Sequence, residues 1–146
     1  MKFRKIPTNG GGDCFFRALS IVLYQTQNQH RKLRKEIVSY ISEHRDDAPF
    51  ACIGFSTDTY ETVDMYCKRM SRSQHGRHHG EYADEFVIVA TALYLKRPIH
   101  IISSEYTYQG NYGAHFVGDP IYIHYAKYHF TALSVHPPKK PQFIPQ

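Results

Sequence analysis

The stretch Gly10-Gly11-Gly12-Asp13-Cys14-Phe15-Phe16-Arg17-Ala18-Leu19-Ser20 decides how this chain is read. Three glycines make a turn, and after Asp13 the residues Phe16, Leu19, Ile21, Val22 and Leu23 recur with roughly the spacing of one helix face. A loop therefore feeds a helix whose first turn carries Cys14. A thiol at that place is favoured as thiolate by the helix dipole and the unpaired amides of the first turn. The glycine turn is free to aim N–H groups at an oxyanion, which makes Gly11, Gly12 and Asp13 the candidate oxyanion loop. Asp13 also suits a helix cap, its side chain accepting backbone N–H bonds. No Gly-Lys-Ser/Thr follows the glycines, so the turn is not a phosphate loop.

Outward from this segment the pattern stays helical. Residues 31–44 place Leu33, Ile37, Tyr40 and Ile41 on one side with charges opposite. Residues 49–59 read as a connection, 60–70 as a shorter helix with Tyr60, Val63 and Cys67 inward, and 71–80 as an exposed loop rich in His and Gly. Helical spacing resumes over 82–96 through Phe86, Val89, Ala90 and Leu93, and Arg97-Pro98 ends it. The period then changes: 99–103, 121–125 and 130–135 are short β-branched or aromatic runs bounded by Gly, Asp and Pro. Helices followed by strands imply an α/β (α+β) domain, a small central sheet flanked by helices.

With 146 residues, 42% of them hydrophobic, there is material for one domain with its own core and no room for a second. We read residues 1–136 as the domain and 137–146, with four prolines, as a tail or linker. The formal charge of +5 is dispersed, which argues against a nucleic-acid binder. Cysteines at 14, 52 and 67 have no CxxC spacing, so neither a disulfide framework nor a zinc module is expected. His75, His78 and His79 lack the partner ligands of a zinc site. No apolar run reaches membrane-span length and residues 1–9 do not form a signal peptide, so we expect a soluble, cytoplasmic chain, with nuclear residence also compatible.

Residues 12–20 resemble the nucleophile motif of the ovarian-tumour (OTU) family of cysteine proteases and deubiquitinases, commonly Asp-Gly-Asn-Cys-Leu-Phe-Arg-Ala. Further blocks follow in the family's order. His30 with Leu33-Arg34 and Val38-Ser39-Tyr40-Ile41 is similar to its second helix, and Tyr82-Ala83-Asp84-Glu85-Phe86 to its Trp-Gly-x-x-Glu segment. Ile99-His100-Ile101-Ile102 is similar to the strand after it. Ile121-Tyr122-Ile123-His124-Tyr125 with Tyr128-His129-Phe130-Thr131-Ala132-Leu133 resembles the terminal strand pair that carries the catalytic base. The likeness spans about residues 3 to 135.

The resemblance implies an OTU-like, papain-type cysteine protease fold and hydrolysis of isopeptide bonds after the C-terminal Gly-Gly of ubiquitin or a ubiquitin-like protein. Cys14 would be the nucleophile and His129, 115 positions later, its general base. His124 is the near competitor for that role. Neither a metal nor an organic cofactor is required, because the chain supplies nucleophile, base and oxyanion donors. The implied partner is ubiquitin or polyubiquitin, contacted through residues 53–60 and 71–81, by a monomer that engages neither nucleic acid nor membrane. Two positions depart from the family's pattern: Gly11 stands where an Asp is usual, and Thr131 where an Asp or Asn usually orients the base. Thr131 can accept a hydrogen bond but has no charge, and Asp13 and Asp119 are the through-space substitutes. The rival reading is a weakly active or inactive OTU-like module that binds ubiquitin without cutting it.

Overall fold

In the computed structural model, which describes residues 2–56, 61–103 and 110–136, the strands Lys2–Ile6 (β1), Ile99–Ser103 (β2), Gly110–Tyr112 (β3), Ile121–Ala126 (β4) and His129–His136 (β5) form one sheet. Its order is β1-β5-β4-β2-β3, with β2 and β4 parallel and every other pair antiparallel. The helices are Cys14–Tyr24 (α1), His30–Glu43 (α2), Ile53–Ser56 (α3), Val63–Met70 (α4) and Glu85–Leu95 (α5). The mixed α+β class is as expected.

The register explains where the core lies. Ile99 pairs with Ile121, Ile101 with Ile123, Ile123 with Ala132 and Tyr125 with Phe130, so these buried side chains share one face. Helix α1 packs against β5 and β4 there, and α2 lies between α1, α4 and α5. The alternate positions His100, Tyr122, His124 and Thr131 are only half-buried. The core is thus on one side of the sheet.

Two strands escaped the sequence pattern. β1 is a charged edge strand, Lys-Phe-Arg-Lys-Ile, whose Lys and Arg residues blunt an otherwise open edge; β3 has only three residues. Residues 49–59 are not a plain connection, since a 3₁₀ turn at Phe50–Cys52 leads into α3 and buries Phe50 and Ile53. α4 turns Tyr66 and Met70 into the core, leaving Val63 and Cys67 half-buried at its flank. α5 is buried on most sides, which erases the amphipathic stripe. In α2, Arg34 does not join the exposed charges: it is 1% exposed, on the arc of Leu33 and Ile37. Tyr60 and the tail 137–146 lie outside the described residues. Among the described residues no helix is long and apolar enough to cross a membrane.

Lys127 and Tyr128 close the β4–β5 hairpin with φ of 52° and 60°, the left-handed pair of a two-residue turn between Ala126 and His129. Each non-glycine residue there costs about 1 kcal/mol. Replacing the pair by Asn-Gly is expected to raise stability by about 1 kcal/mol, read as a higher urea midpoint with an unchanged slope.

Candidate active site

Cys14 and His129 are brought together by the aromatic residue that follows each of them. Phe15 packs edge-on against Phe130 with ring centroids 5.2 Å apart, and Phe130 in turn meets Tyr125 at 4.7 Å. That contact sets α1 across the start of β5, so the Phe130 N–H donates to Cys14 Sγ at 3.4 Å. A Cβ built on Gly10 would lie 4.0 Å from His129 Nδ1. The sulfur, the glycine turn and the imidazole therefore share one locality.

The thiol is 1% exposed, and burial raises it above the ordinary cysteine range. The N–H groups of Phe130, Phe15 and Cys14 itself pull it back, and the neighbouring Asp13 carboxylate pushes it further up. Burial at this helix N-terminus thus works against the thiolate that the dipole alone would favour. The candidate base, His129, lies beside Gly10 and is next in sequence to the residue that bonds the sulfur.

The glycine turn is organised differently from the expectation. The Gly12 N–H donates to His79 O at 2.8 Å and the Cys14 N–H to Gly11 O at 3.1 Å, so these two amides are occupied. Gly12 is the point at which residues 72–80 dock: a Cβ there would stand 1.8 Å from Gly80 O. Gly11 has φ +92°, a backbone that other residues rarely adopt. Of the proposed oxyanion loop, Gly12 is better described as a docking glycine, whereas the Gly11 and Asp13 amides have no backbone acceptor among the described residues.

Asp13 does not cap α1 through its side chain. Its carboxylate, 1% exposed, accepts from Arg34 Nη2 at 2.7 Å, from Ser73 Oγ at 2.9 and 3.0 Å, and from the Gln74 N–H at 2.9 Å. Arg34 reaches on to the carbonyls of Met70, Gly12 and Glu81 at 2.7, 3.1 and 2.9 Å and lies over the Phe16 ring at 4.3 Å. Burial disfavours the Asp13 charge, but the Gln74 amide, Arg34 and Ser73 outweigh it and hold the carboxyl below its ordinary range. His30 Nδ1, 3.8 Å from Asp13 Oδ2, is buried without a hydrogen bond; burial first, then Arg17, depresses its basicity.

Neither carboxylate considered for the base is in position. Asp13 is consumed by the Arg34 cluster. Asp119 precedes the far end of β4: Ala126, not Ile121, pairs with His129, which puts roughly 15–20 Å of strand between them. The Asp119 carbonyl accepts from Arg97 Nε at 3.0 Å. Thr131 follows His129 by two positions and pairs with His124, so both are directed away from the Phe130 face. Among the described residues no hydrogen bond joins Thr131 to the His129 ring. Sequence reasoning missed the Arg34 hub, with Ser73 and Gln74, and the opening at Gly10. The one available signal was an arginine on the apolar arc of α2, since a charge there needs a buried partner.

Because the Asp13 carboxyl is depressed in the folded state, its contribution is full above the unfolded carboxyl range near about 4 and is lost as pH falls through the lower folded value. Asp13→Asn is expected to cost about 3–5 kcal/mol at pH 7, by leaving Arg34 buried and unpaired. It should also shrink the further loss between pH 7 and pH 3. Urea unfolding of both proteins at the two pH values measures this, and an equal acid loss in the variant would contradict it.

The model of one protein family, described as OTU-like cysteine protease, matches residues 9–136. Among curated proteins, an ovarian tumor domain-containing deubiquitinating enzyme of Arabidopsis thaliana is 30% identical over 104 residues, covering 70% of this chain and 25% of that protein. A putative ubiquitin thioesterase of Tipula iridescent virus is 26% identical over 152 residues, covering 90% of this chain and 16% of that one. The chain thus spans about a quarter or less of the curated relatives it matches. Among solved structures, an ovarian tumor domain in complex with ubiquitin aligns with a TM-score of 0.72 at 12% identity, over 90% of this chain and 69% of that one. At that identity the likeness is one of fold.

Proposed function

Since the chain belongs to the OTU-like cysteine proteases, we propose that it is a thiol-dependent deubiquitinase with Cys14 as nucleophile and His129 as general base. The observation that carries this reading is the 3.4 Å contact of Cys14 Sγ with the N–H of Phe130, the residue after His129. The substrate is an isopeptide bond after the C-terminal Gly-Gly of ubiquitin or a ubiquitin-like protein. Support comes from the deubiquitinase and ubiquitin thioesterase relatives and from the similar domain solved with ubiquitin.

In this mechanism His129 removes the thiol proton as substrate enters, and the sulfur adds to the isopeptide carbonyl. The protonated imidazole then delivers its proton to the leaving lysine amine. Water, activated by the same imidazole, hydrolyses the thioester. Donors for the tetrahedral oxyanion are the Gly11 and Asp13 amides. Burial raises the thiol pKa and so disfavours a resting thiolate, which is why the proposed mechanism has the proton removed as substrate enters.

The orienting group is the weak point of the site, and Gly10 offers the means to test it. Its Cβ direction is open and leads toward His129 Nδ1. Gly10→Asp is expected to raise kcat/KM by about an order of magnitude by supplying a carboxylate that no described residue places at His129.

The assays are hydrolysis of a ubiquitin C-terminal fluorophore and of ubiquitin dimers, with capture by a ubiquitin propargyl probe. Cys14→Ala abolishes both turnover and capture, whereas His129→Ala lowers turnover by at least about 10³-fold. Wild-type protein that binds ubiquitin but neither cleaves it nor reacts with the probe would instead be a binding module.

A further inference from the structure

Residues 72–80 contain Arg72, His75, Arg77, His78 and His79 and no acid. All five side chains are exposed. The segment is nevertheless built: His75 and His78 exchange N–H to carbonyl bonds at 3.0 Å in both directions, with Gly76 left-handed at the turn, and Gly80 N–H donates to His78 Nδ1 at 2.9 Å. The Glu81 N–H closes its base on Arg72 O at 2.9 Å.

Two further guanidinium groups converge on it. Arg31 of α2 donates to Gln74 O at 2.7 Å, and Arg17 of α1 approaches Gln74 Oε1 at 3.5 Å. The acids nearby are already committed. Asp13 is buried under Arg34, Ser73 and Gln74, and Glu81 meets Arg69 at 3.3 Å and His78 at 3.8 Å. The result is a rigid cationic turn whose base, through the bond from Gly12 N–H to His79 O, abuts the backbone two residues from Cys14.

We infer that this turn is a specificity element that selects protein substrates carrying acidic side chains beside the scissile bond. The inference rests on the proposed isopeptidase reading for the identity of that bond. Arg72 and Arg77 stand on a turn whose base adjoins Gly12, so they attract an acidic flank and repel a basic one, and because the turn's backbone is already held only the two side chains have to be ordered on contact. A nucleic-acid ligand is disfavoured because the charges cluster on one short turn rather than along a groove that could follow a phosphate backbone.

The test uses two conjugates in which ubiquitin is joined to the lysine of a short peptide flanked by glutamates or by lysines. Wild type is expected to favour the acidic conjugate by about tenfold in kcat/KM at low salt, with the preference shrinking at 0.3 M NaCl. The exposed double variant Arg72→Glu, Arg77→Glu should lose or reverse the preference. Each conjugate rate is divided by the same protein's rate on a ubiquitin C-terminal fluorophore, which has no flank, so any change in ubiquitin contact through residues 71–81 cancels and only the flank preference is read. Equal rates on both conjugates, or a preference that survives the double substitution, overturns the inference. A second arm measures binding of the free acidic peptide, and of a single-stranded RNA of equal charge, to Cys14→Ala protein by anisotropy. Peptide binding that needs Arg72 and Arg77 supports the surface even if neither conjugate is cleaved, an outcome that sinks the isopeptidase reading alone. Tighter binding of the RNA overturns the proposal in favour of a nucleic-acid site.

Discussion

The edge-on contact of Phe15 with Phe130 is the constraint on which the site depends. Each ring is anchored in the core, and each is the immediate neighbour of a candidate catalytic residue. Chain connectivity therefore converts an apolar contact into a functional one: fixing the two rings fixes the backbone of Cys14 and His129 as well. The hydrogen bond from the Phe130 amide to Cys14 Sγ is the polar trace of the same packing. The energy comes from burying aromatic surface, while the precision comes from rotamers that a dense core allows in few ways.

Arg34 and Asp13 serve the other side of the nucleophile. A buried guanidinium is tolerable only when paired, and here one carboxylate and three carbonyls from three separate segments of chain accept from the two terminal nitrogens of Arg34, while its Nε is buried without a hydrogen bond. Because those segments include Gly12, Met70 and Glu81, the cost of burying the charge is offset by tying the glycine turn to residues 70–81. The loop that borders Cys14 is thus held from within, and its Arg72 and Arg77 side chains stay exposed.

Burial has a chemical consequence for the thiol. In an open, electropositive setting a helix N-terminus would favour thiolate, but Cys14 is almost fully enclosed and stands next to Asp13. Desolvation wins over the three amides. Under the proposed mechanism, a cysteine enclosed in this way would be shielded from indiscriminate alkylation and would depend on a correctly placed base.

Much of the architecture was legible in the chain. The helix beginning at Cys14, the helices near residues 30–43 and 85–95, and the strands at 99, 121 and 130 all follow from apolar periodicity and from the glycine and proline signals that bound them. These are local properties, fixed by backbone geometry. β1 and β3 were not legible, because a charged edge strand and a three-residue strand exist only through their neighbours. The nucleophile motif singled out Cys14 and the closing strand singled out His129, yet periodicity could not say that Arg34 faces inward or that Asp13 serves it. It could not say that Gly10, rather than Gly11, looks toward the imidazole. Residue order determined which chemical groups the protein has and which helices and strands carry them. The fold alone decided which of those groups meet, because a contact across more than 100 positions is set by the packing of whole elements, and no short window of sequence contains it.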